Sequence, residues 1–246
     1  MSESSLDKMS LRGLLFIQIA NKLWMEKQGV SRKPVIPGVD RRQQILDAAL
    51  EIFAEQGFEA ATNKAIAERA EVNQGLIYFY FASKADVYFA TSAYYTEQVI
   101  AQLDAVFAQV HEASPAEGLA QLLRGVMLLL STPPASHLLR IMYQVAGSRT
   151  PVGELSNADE RRAISGLARH LTQRFREYLE ARISRKQFNA LNPTLVSYML
   201  TRTLIATVTM RGQGGMAQPD LDSLAETMAA LYAYGFLPRS EQTHPG

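Results

Sequence analysis

The chain has 246 residues, of which 47% are hydrophobic and 20% charged; that is long enough to bury a real core and too apolar for a disordered tail. It contains no cysteine, which excludes disulfides and cysteine-ligated zinc and fits a reducing cytoplasm. The net charge is +1, so composition does not announce a nucleic-acid partner, and no apolar run reaches the ~20 residues that a membrane-spanning helix needs.

Residues 1–38 form an extension that ends at Pro34, Pro37 and Gly38, the marks of a flexible arm. Within it, Leu11–Trp24 (LRGLLFIQIANKLW) reads as a short helix, apolar over most of its circumference. Four origins stay open. It is a secretory signal, with Lys8 and Arg12 before a short apolar core but no close small-x-small cleavage site. It is a membrane-surface helix, though with a thin polar face. It is untranslated sequence upstream of a start at Met25, which leaves the basic lead MEKQGVSRKPVIPG. Or it is an arm that packs on the body or on a partner.

A helix is expected from about Asp40 to Gln56, with Asp40 as its cap. Ile45, Ala48, Ala49, Ile52 and Phe53 recur at spacings of three and four and give it a core face. Gly57 ends it where left-handed backbone is favoured, and Phe58 plugs the small core behind it.

Thr62–Lys84 reads TNKAIAERAEVNQGLIYFYFASK. Thr62 can cap a short helix whose apolar stripe is Ile66, Ala67 and Ala70. A turn falls at Ala70-Glu71-Val72, with Val72 pinning it to the core. Asn73 caps a second helix, with Ile77 and Tyr80 or Phe81 inward and Gln74, Gly75, Leu76 and Tyr78 outward. A helix-turn-helix offers such first-turn residues to the major groove, although a helical hairpin in any all-α protein has the same spacing. Charge gives little help: Ser31–Ala90 holds seven Lys/Arg against eight Asp/Glu. For DNA binding, Arg32, Lys33, Arg41, Arg42, Lys64 and Lys84 must converge on one side while Asp47, Glu51, Glu55 and Glu68 point away.

The order Gly57-Phe58, Thr62, Ile66-Ala67, Ala70, Val72, Gly75, Tyr78-Phe79-Tyr80-Phe81 and Ser83-Lys84 resembles the amino-terminal domain of the TetR family of transcriptional regulators. The resemblance runs from about Arg41 to about Ala90. It implies an all-α protein: a three-helix helix-turn-helix domain over residues 39–99 (motif about 62–81), then a larger helical ligand-binding and dimerisation domain over 100–246. It implies DNA contacts from Thr62, Asn63 and Lys64 on the first short helix and from Asn73, Gln74, Gly75, Leu76, Tyr78 and Tyr80 on the second. Arg41, Arg42 and Lys84 are implied to meet phosphates. Chemically, Gln74 can pair with adenine, Leu76 can pack on a thymine methyl, and Gly75 lets the backbone approach closely. In the turn, where the family usually has glycine, this chain has Glu71. A left-handed residue there costs about 1 kcal/mol and brings a negative charge near the phosphates.

From Ser83 the pattern turns to long helices: Ser83 to about Glu112, Ala116–Leu130, Ala135–Ala146, Glu154–Ser184, Asn192 to about Met210, and Asp220–Tyr234. Thr132-Pro133-Pro134 breaks the run, and 147–153 and 212–215 are loops. Arg161, Arg162, Arg169, Arg174 and Arg176 read as a solvated face. Leu195, Met199, Thr203, Ala206 and Met210 form one apolar stripe, and Leu221, Leu224, Met228, Leu231 and Tyr232 another; both suit either core or partner. The resemblance implies that the last two helices pair with a second copy as a four-helix bundle. It also implies a small-molecule site among the carboxyl-terminal helices, with Tyr94, Tyr95, Phe107, Met127, Met142, Tyr143, Phe175, Tyr178 and Tyr198 as candidate lining.

His111, His137, His170 and His244 have no metal-ligand spacing, and no nucleophile elbow, phosphate loop or carboxylate pair is present. No metal, cofactor or enzymatic activity is expected. The expected protein is a cytoplasmic homodimeric repressor, released from a near-palindromic DNA operator by a small-molecule effector. The alternative is a helical ligand-binding or protein-interaction module that does not read DNA.

Overall fold

The structure is a computed structural model that describes residues 41–110, 114–146, 158–189, 191–211 and 220–236. The expectations for the extension, for Arg32 and Lys33, for the 147–153 and 212–215 loops, and for His111 and His244 lie outside these residues. The described residues form nine α-helices and no strand: α1 (Arg41–Ala60), α2 (Asn63–Arg69), α3 (Gln74–Tyr80), α4 (Lys84–Ala108), α5 (Pro115–Ser131), α6 (Ala135–Ala146), α7 (Ala158–Ser184), α8 (Pro193–Arg211) and α9 (Leu221–Phe236). The protein is all-α. The described residues from 42 onward belong to one compact unit.

The core face of α1 is as its spacing predicts, with Ile45, Ala48, Ala49, Ile52 and Phe53 all buried. Regular helix stops at Gly57, whose φ 77°, ψ 167° lies in a region that only glycine occupies readily. This differs from the expected left-handed cap: the chain kinks there and makes one further turn to Ala60. Phe58 then folds back to stack on Phe53 at 6.0 Å and to meet Tyr88 of α4 edge-on at 5.4 Å. Tyr88 is fully buried and donates its hydroxyl to the Ile141 carbonyl of α6 at 3.3 Å. Burial pushes its phenol up to about 12. α1, α4 and α6 thus meet around one aromatic knot.

The other helices build a second layer. α9 packs on α5, α8 on α7, and α4 on α7. α4 and α5 approach so closely at Gly125 that a Cβ there would lie 2.8 Å from Val106 Cγ1. Of the arginines of α7 expected to form a solvated face, Arg169 is exposed, Arg174 and Arg176 are half-buried, and the side chains of Arg161 and Arg162 lie outside the described residues. Arg174 reaches across to α4, pairing with Asp104 at 3.0 Å and covering the Phe107 ring at 5.3 Å; Arg176 bonds Gln173 at 2.6 Å. Arg182 is 7% exposed and donates to the Val110 carbonyl at the end of α4, at 3.1 Å. A cation suits that site, because helix carboxyl ends carry unpaired carbonyls. No helix among the described residues is long and apolar enough to cross a membrane.

Candidate nucleic-acid interface

Two short helices and their turn stand on the α1–α4 knot. α2 begins with the Thr62 hydroxyl accepting from the Ala65 amide at 3.0 Å. It ends at Ala70 with Glu71 in left-handed backbone, φ 53°. The Val72 amide bonds the Ala67 carbonyl at 3.0 Å and the Glu71 amide the Glu68 carbonyl at 3.2 Å. Those two bonds are the Schellman pattern, and Glu71 occupies its left-handed position, where glycine is preferred. Asn73 Oδ1 accepts from the Gly75 amide at 2.7 Å and starts α3. A Cβ on Gly75 would lie 3.2 Å from that oxygen. Within the fold, then, Gly75 makes room for the Asn73 cap.

α3 has two faces. Ile77 and Phe81 are buried at 0% and 5% exposure and hold it to the core. Gln74 and Gly75 are exposed, and Tyr78 and Phe79 are 56% and 78% exposed. Leu76 and Tyr80 are half-buried and rest partly on the core. Phe79 is the residue that spacing missed: within the unbroken aromatic run Tyr78–Phe81, helical phase alone did not single it out. Its ring meets Tyr80 edge-on at 5.1 Å.

The remaining candidates divide. Thr62, Lys64 and Asn73 are exposed. Lys64 lies 3.9 Å from Glu68, a pair so exposed that it restrains neither side chain much. Arg41 opens α1. Arg42 is exposed and covers the Phe81 ring at 5.4 Å. Asn63 corrects the expectation: it is 8% exposed, its Oδ1 is buried without a hydrogen-bond partner, and it faces the core instead of solvent. Lys84 is a second correction. Its ammonium donates to the carbonyls of Phe58 (2.7 Å), Glu59 (3.2 Å) and Ala61 (3.0 Å) and sits 4.4 Å from the Phe58 ring centre. Three donors meet three acceptors, leaving none for a phosphate in this conformation.

The acids are largely occupied. Arg69 bonds Glu51 at 2.7 Å and Glu55 at 2.9 Å, tying α2 to α1. The hydrogen bond from Arg69 holds the Glu55 carboxyl below its ordinary range. Asp47 accepts from the Tyr95 hydroxyl. Burial, and then the Asp47 charge, raise the Tyr95 phenol.

The nine residues expected to line a small-molecule site are spread over α4 to α8. Tyr94 meets Tyr95 edge-on at 5.1 Å, and Phe107 meets Phe175 at 5.2 Å. Met127 is fully buried and Met142 half-buried; Tyr143 has its backbone in α6, and its side chain lies outside the description. Tyr178 is half-buried over Arg182, and its hydroxyl has no partner. Tyr198 stands 51% exposed on α8. A shallow surface cleft, too tight for a water-sized sphere, is lined by Leu179, Ile183, Phe188, Asn189, Leu191, Pro193 and Val196, none of them among those nine. Among the described residues, no group of three or more His, Asp or Glu is placed to hold a metal.

The family model for bacterial regulatory proteins of the tetR family matches residues 45–91, the stretch from the core face of α1 through α3 into α4. The chain is 48% identical over 52 residues to the HTH-type transcriptional regulator HbdR of Aromatoleum sp. (strain CIB), covering 21% of this chain and 23% of that protein. It is 40% identical over 65 residues to the HTH-type transcriptional repressor KstR of Mycolicibacterium smegmatis, covering 26% and 32%. The matched segment thus spans about a quarter to a third of these relatives. Likeness of fold extends further. FadR from Bacillus subtilis, solved in complex with stearoyl-CoA, is 25% identical with a TM-score of 0.60, over 78% of this chain and 98% of that one. PfmR from Thermus thermophilus, at 18% identity and a TM-score of 0.61 over 78% and 97%, shares the fold. The capped helix pair and the segment the family model covers give this chain an amino-terminal domain of the tetR family of bacterial regulatory proteins, within a helical architecture shared with other such regulators.

Proposed function

We propose that the chain is a sequence-specific DNA-binding transcriptional regulator, a repressor released from its operator by a small-molecule effector, acting in the compartment that holds the DNA. The observation that carries the reading is the division of α3: Ile77 and Phe81 anchor it, while Gln74, Gly75, Tyr78 and Phe79 face solvent from its first two turns. Gln74 supplies the amide that matches adenine's paired donor and acceptor. Tyr78 and Phe79 supply flat apolar surface for sugar edges and thymine methyls, and Tyr78 adds a hydroxyl for a phosphate. Thr62, Lys64, Asn73, Arg41 and Arg42 fix register through the backbone, and Leu76 and Tyr80 contribute their exposed edges. Asn63 has only a supporting role.

Self-association completes the reading, since one such helix binds weakly and reads few bases. The stripe Leu195, Met199, Thr203 and Ala206 is exposed, with Tyr198 beside it, while Ser197, Leu200, Thr201, Leu204 and Val208 turn inward. On α9, Leu231 is 70% exposed, Leu224 and Tyr232 are half-buried and Met228 turns inward. These faces support a homodimer through α8 and α9, which sets two copies of α3 on half-sites about 34–36 Å apart in a near-palindromic operator. On this reading residues 39–99 are the DNA-binding domain and 100–246 the ligand-binding and dimerisation domain. The effector must prefer the conformer that binds DNA less well, and DNA then opposes the effector by the same factor. The stearoyl-CoA held by the Bacillus subtilis relative supports a large effector that carries a long apolar chain.

Operator selection from a random duplex pool with the purified chain tests the proposal. An enriched near-palindrome supports it, and Gln74→Ala should then relax the base preference at one position per half-site without changing the salt slope. A pool that stays random after repeated rounds leaves the protein-interaction reading in its place.

A further inference from the structure

Resting on the DNA-binding reading, we infer that Lys84 is a positioning residue that locks the base of the helix-turn-helix and does not bind a phosphate through its side chain. Its place is electrostatically unusual. Lys84 is the first residue of α4, after the Ser83 cap, where the helix dipole disfavours a cation. The ammonium escapes that field by reaching over to carbonyls at the end of α1 and just beyond it. Those carbonyls lie beyond the Gly57 kink, where helix geometry leaves acceptors unpaired. Phe58, Glu59 and Ala61 each accept from Nζ, and the Phe58 ring closes the remaining side.

The three bonds span 26, 25 and 23 residues of chain. All of α2, the turn and α3 lie between their ends. Lys84 therefore closes the segment at its neck, where α1 hands over to α2 and α3 hands over to α4. Arg69 ties the same segment to α1 from the other side through Glu51 and Glu55. To donate to a phosphate, Nζ has to release one of its carbonyls into a half-buried site, which offsets what the new bond supplies. Any phosphate at this helix start is served instead by the first amides of α4, which have no partner within the helix.

The test uses the full chain and the operator obtained from the selection above. Lys84→Met keeps the stem over Phe58 and removes only the ammonium. Its expected result is at least tenfold weaker operator binding with the wild-type slope of log K against log salt. Lys64→Met, at an exposed lysine, calibrates the method by lowering the slope by about 0.9, the contribution of one phosphate contact. A slope lowered by that amount in Lys84→Met overturns the inference and leaves DNA binding standing; so does unchanged affinity. Should Lys84→Met unfold, Lys84→Arg carries the decision. It retains the charge, but its planar fork cannot converge on three carbonyls as an ammonium does. Binding several-fold weaker at the wild-type slope supports the lock, and wild-type binding refutes it. If the wild-type chain selects no operator, the DNA-binding reading fails before the role of Lys84 is reached.

Discussion

Glu71 sits at φ 53° in the turn between α2 and α3, exposed to solvent. A side-chain-bearing residue in left-handed backbone costs about 1–2 kcal/mol relative to its preferred regions. Glycine removes that cost but loses more entropy on folding, about 0.4–1 kcal/mol. Glu71→Gly should therefore stabilise the fold by roughly 0.5 kcal/mol, the difference of those two effects. Glu71→Asn should gain a similar amount by another route, since asparagine tolerates the same backbone without glycine's extra entropy loss. Glu71→Gln keeps the strain and removes only the charge, so it should lie within about 0.5 kcal/mol of the parent, as exposed substitutions usually do. Urea unfolding followed by circular dichroism resolves the three: at about 2 kcal/mol/M, the expected gain moves the midpoint up by about 0.25 M. All three remove a negative charge beside the expected phosphates and should tighten DNA alike, which separates the charge effect from the backbone effect. The reasoning is refuted if Glu71→Gly lowers the midpoint, or if Glu71→Gln raises it as much as Glu71→Asn.

Asn73→Ala removes the cap on α3 and should cost about 0.5–2 kcal/mol in urea unfolding, with weaker operator binding because the first turn of α3 frays. Leu195→Glu combined with Met199→Glu puts charge on the exposed stripe of α8; sedimentation velocity should show a folded monomer, and a persistent dimer would move the interface elsewhere. His137 has its imidazole pKa lowered by burial and then by Arg140, with Glu51 and Glu55 pulling the other way. The unfolded chain therefore binds the proton more tightly, so this histidine's contribution is whole above about pH 6.5 and is lost as pH falls through that value toward the lower folded pKa. His137→Gln should flatten the fall in unfolding midpoint between pH 7 and pH 5, and an unaltered slope there counts against burial as the cause.

What could be read from the sequence was local. Thr62 and Asn73 cap their helices because a short oxygen side chain ahead of an apolar period has few other uses, and both make the expected bonds. Ile77 announced the inner face of α3 by spacing, which left Tyr80 or Phe81 beside it until burial picked out Phe81, and Ser114-Pro115 and Pro133-Pro134 announced helix limits that stand within a residue or two. What could not be read was set by partners distant in the chain. Nothing near Lys84 says that its ammonium will meet carbonyls more than twenty residues upstream. Asn63 looks like any polar residue at a helix start, and only the packing beneath α2 buries it. The α8 stripe shows the limit of periodicity itself. Leu195 and Met199 lie on one face, as expected, but spacing does not say whether that face meets its own core or a second molecule, and in the single chain it meets solvent.

The close crossing at Gly125 has a mechanical consequence. With Val106 Cγ1 only 2.8 Å from where a Cβ on Gly125 would sit, only glycine lets the two helices pass so closely, which suits the crossing to serve as a fulcrum. From Val106 back to Lys84, α4 is a lever of about 33 Å at 1.5 Å per residue. A tilt of only about 5° about that fulcrum sweeps the Lys84 end through about 3 Å, roughly the length of a hydrogen bond. Loss of fit at the far end thus requires a disturbance near the fulcrum smaller than the width of an atom.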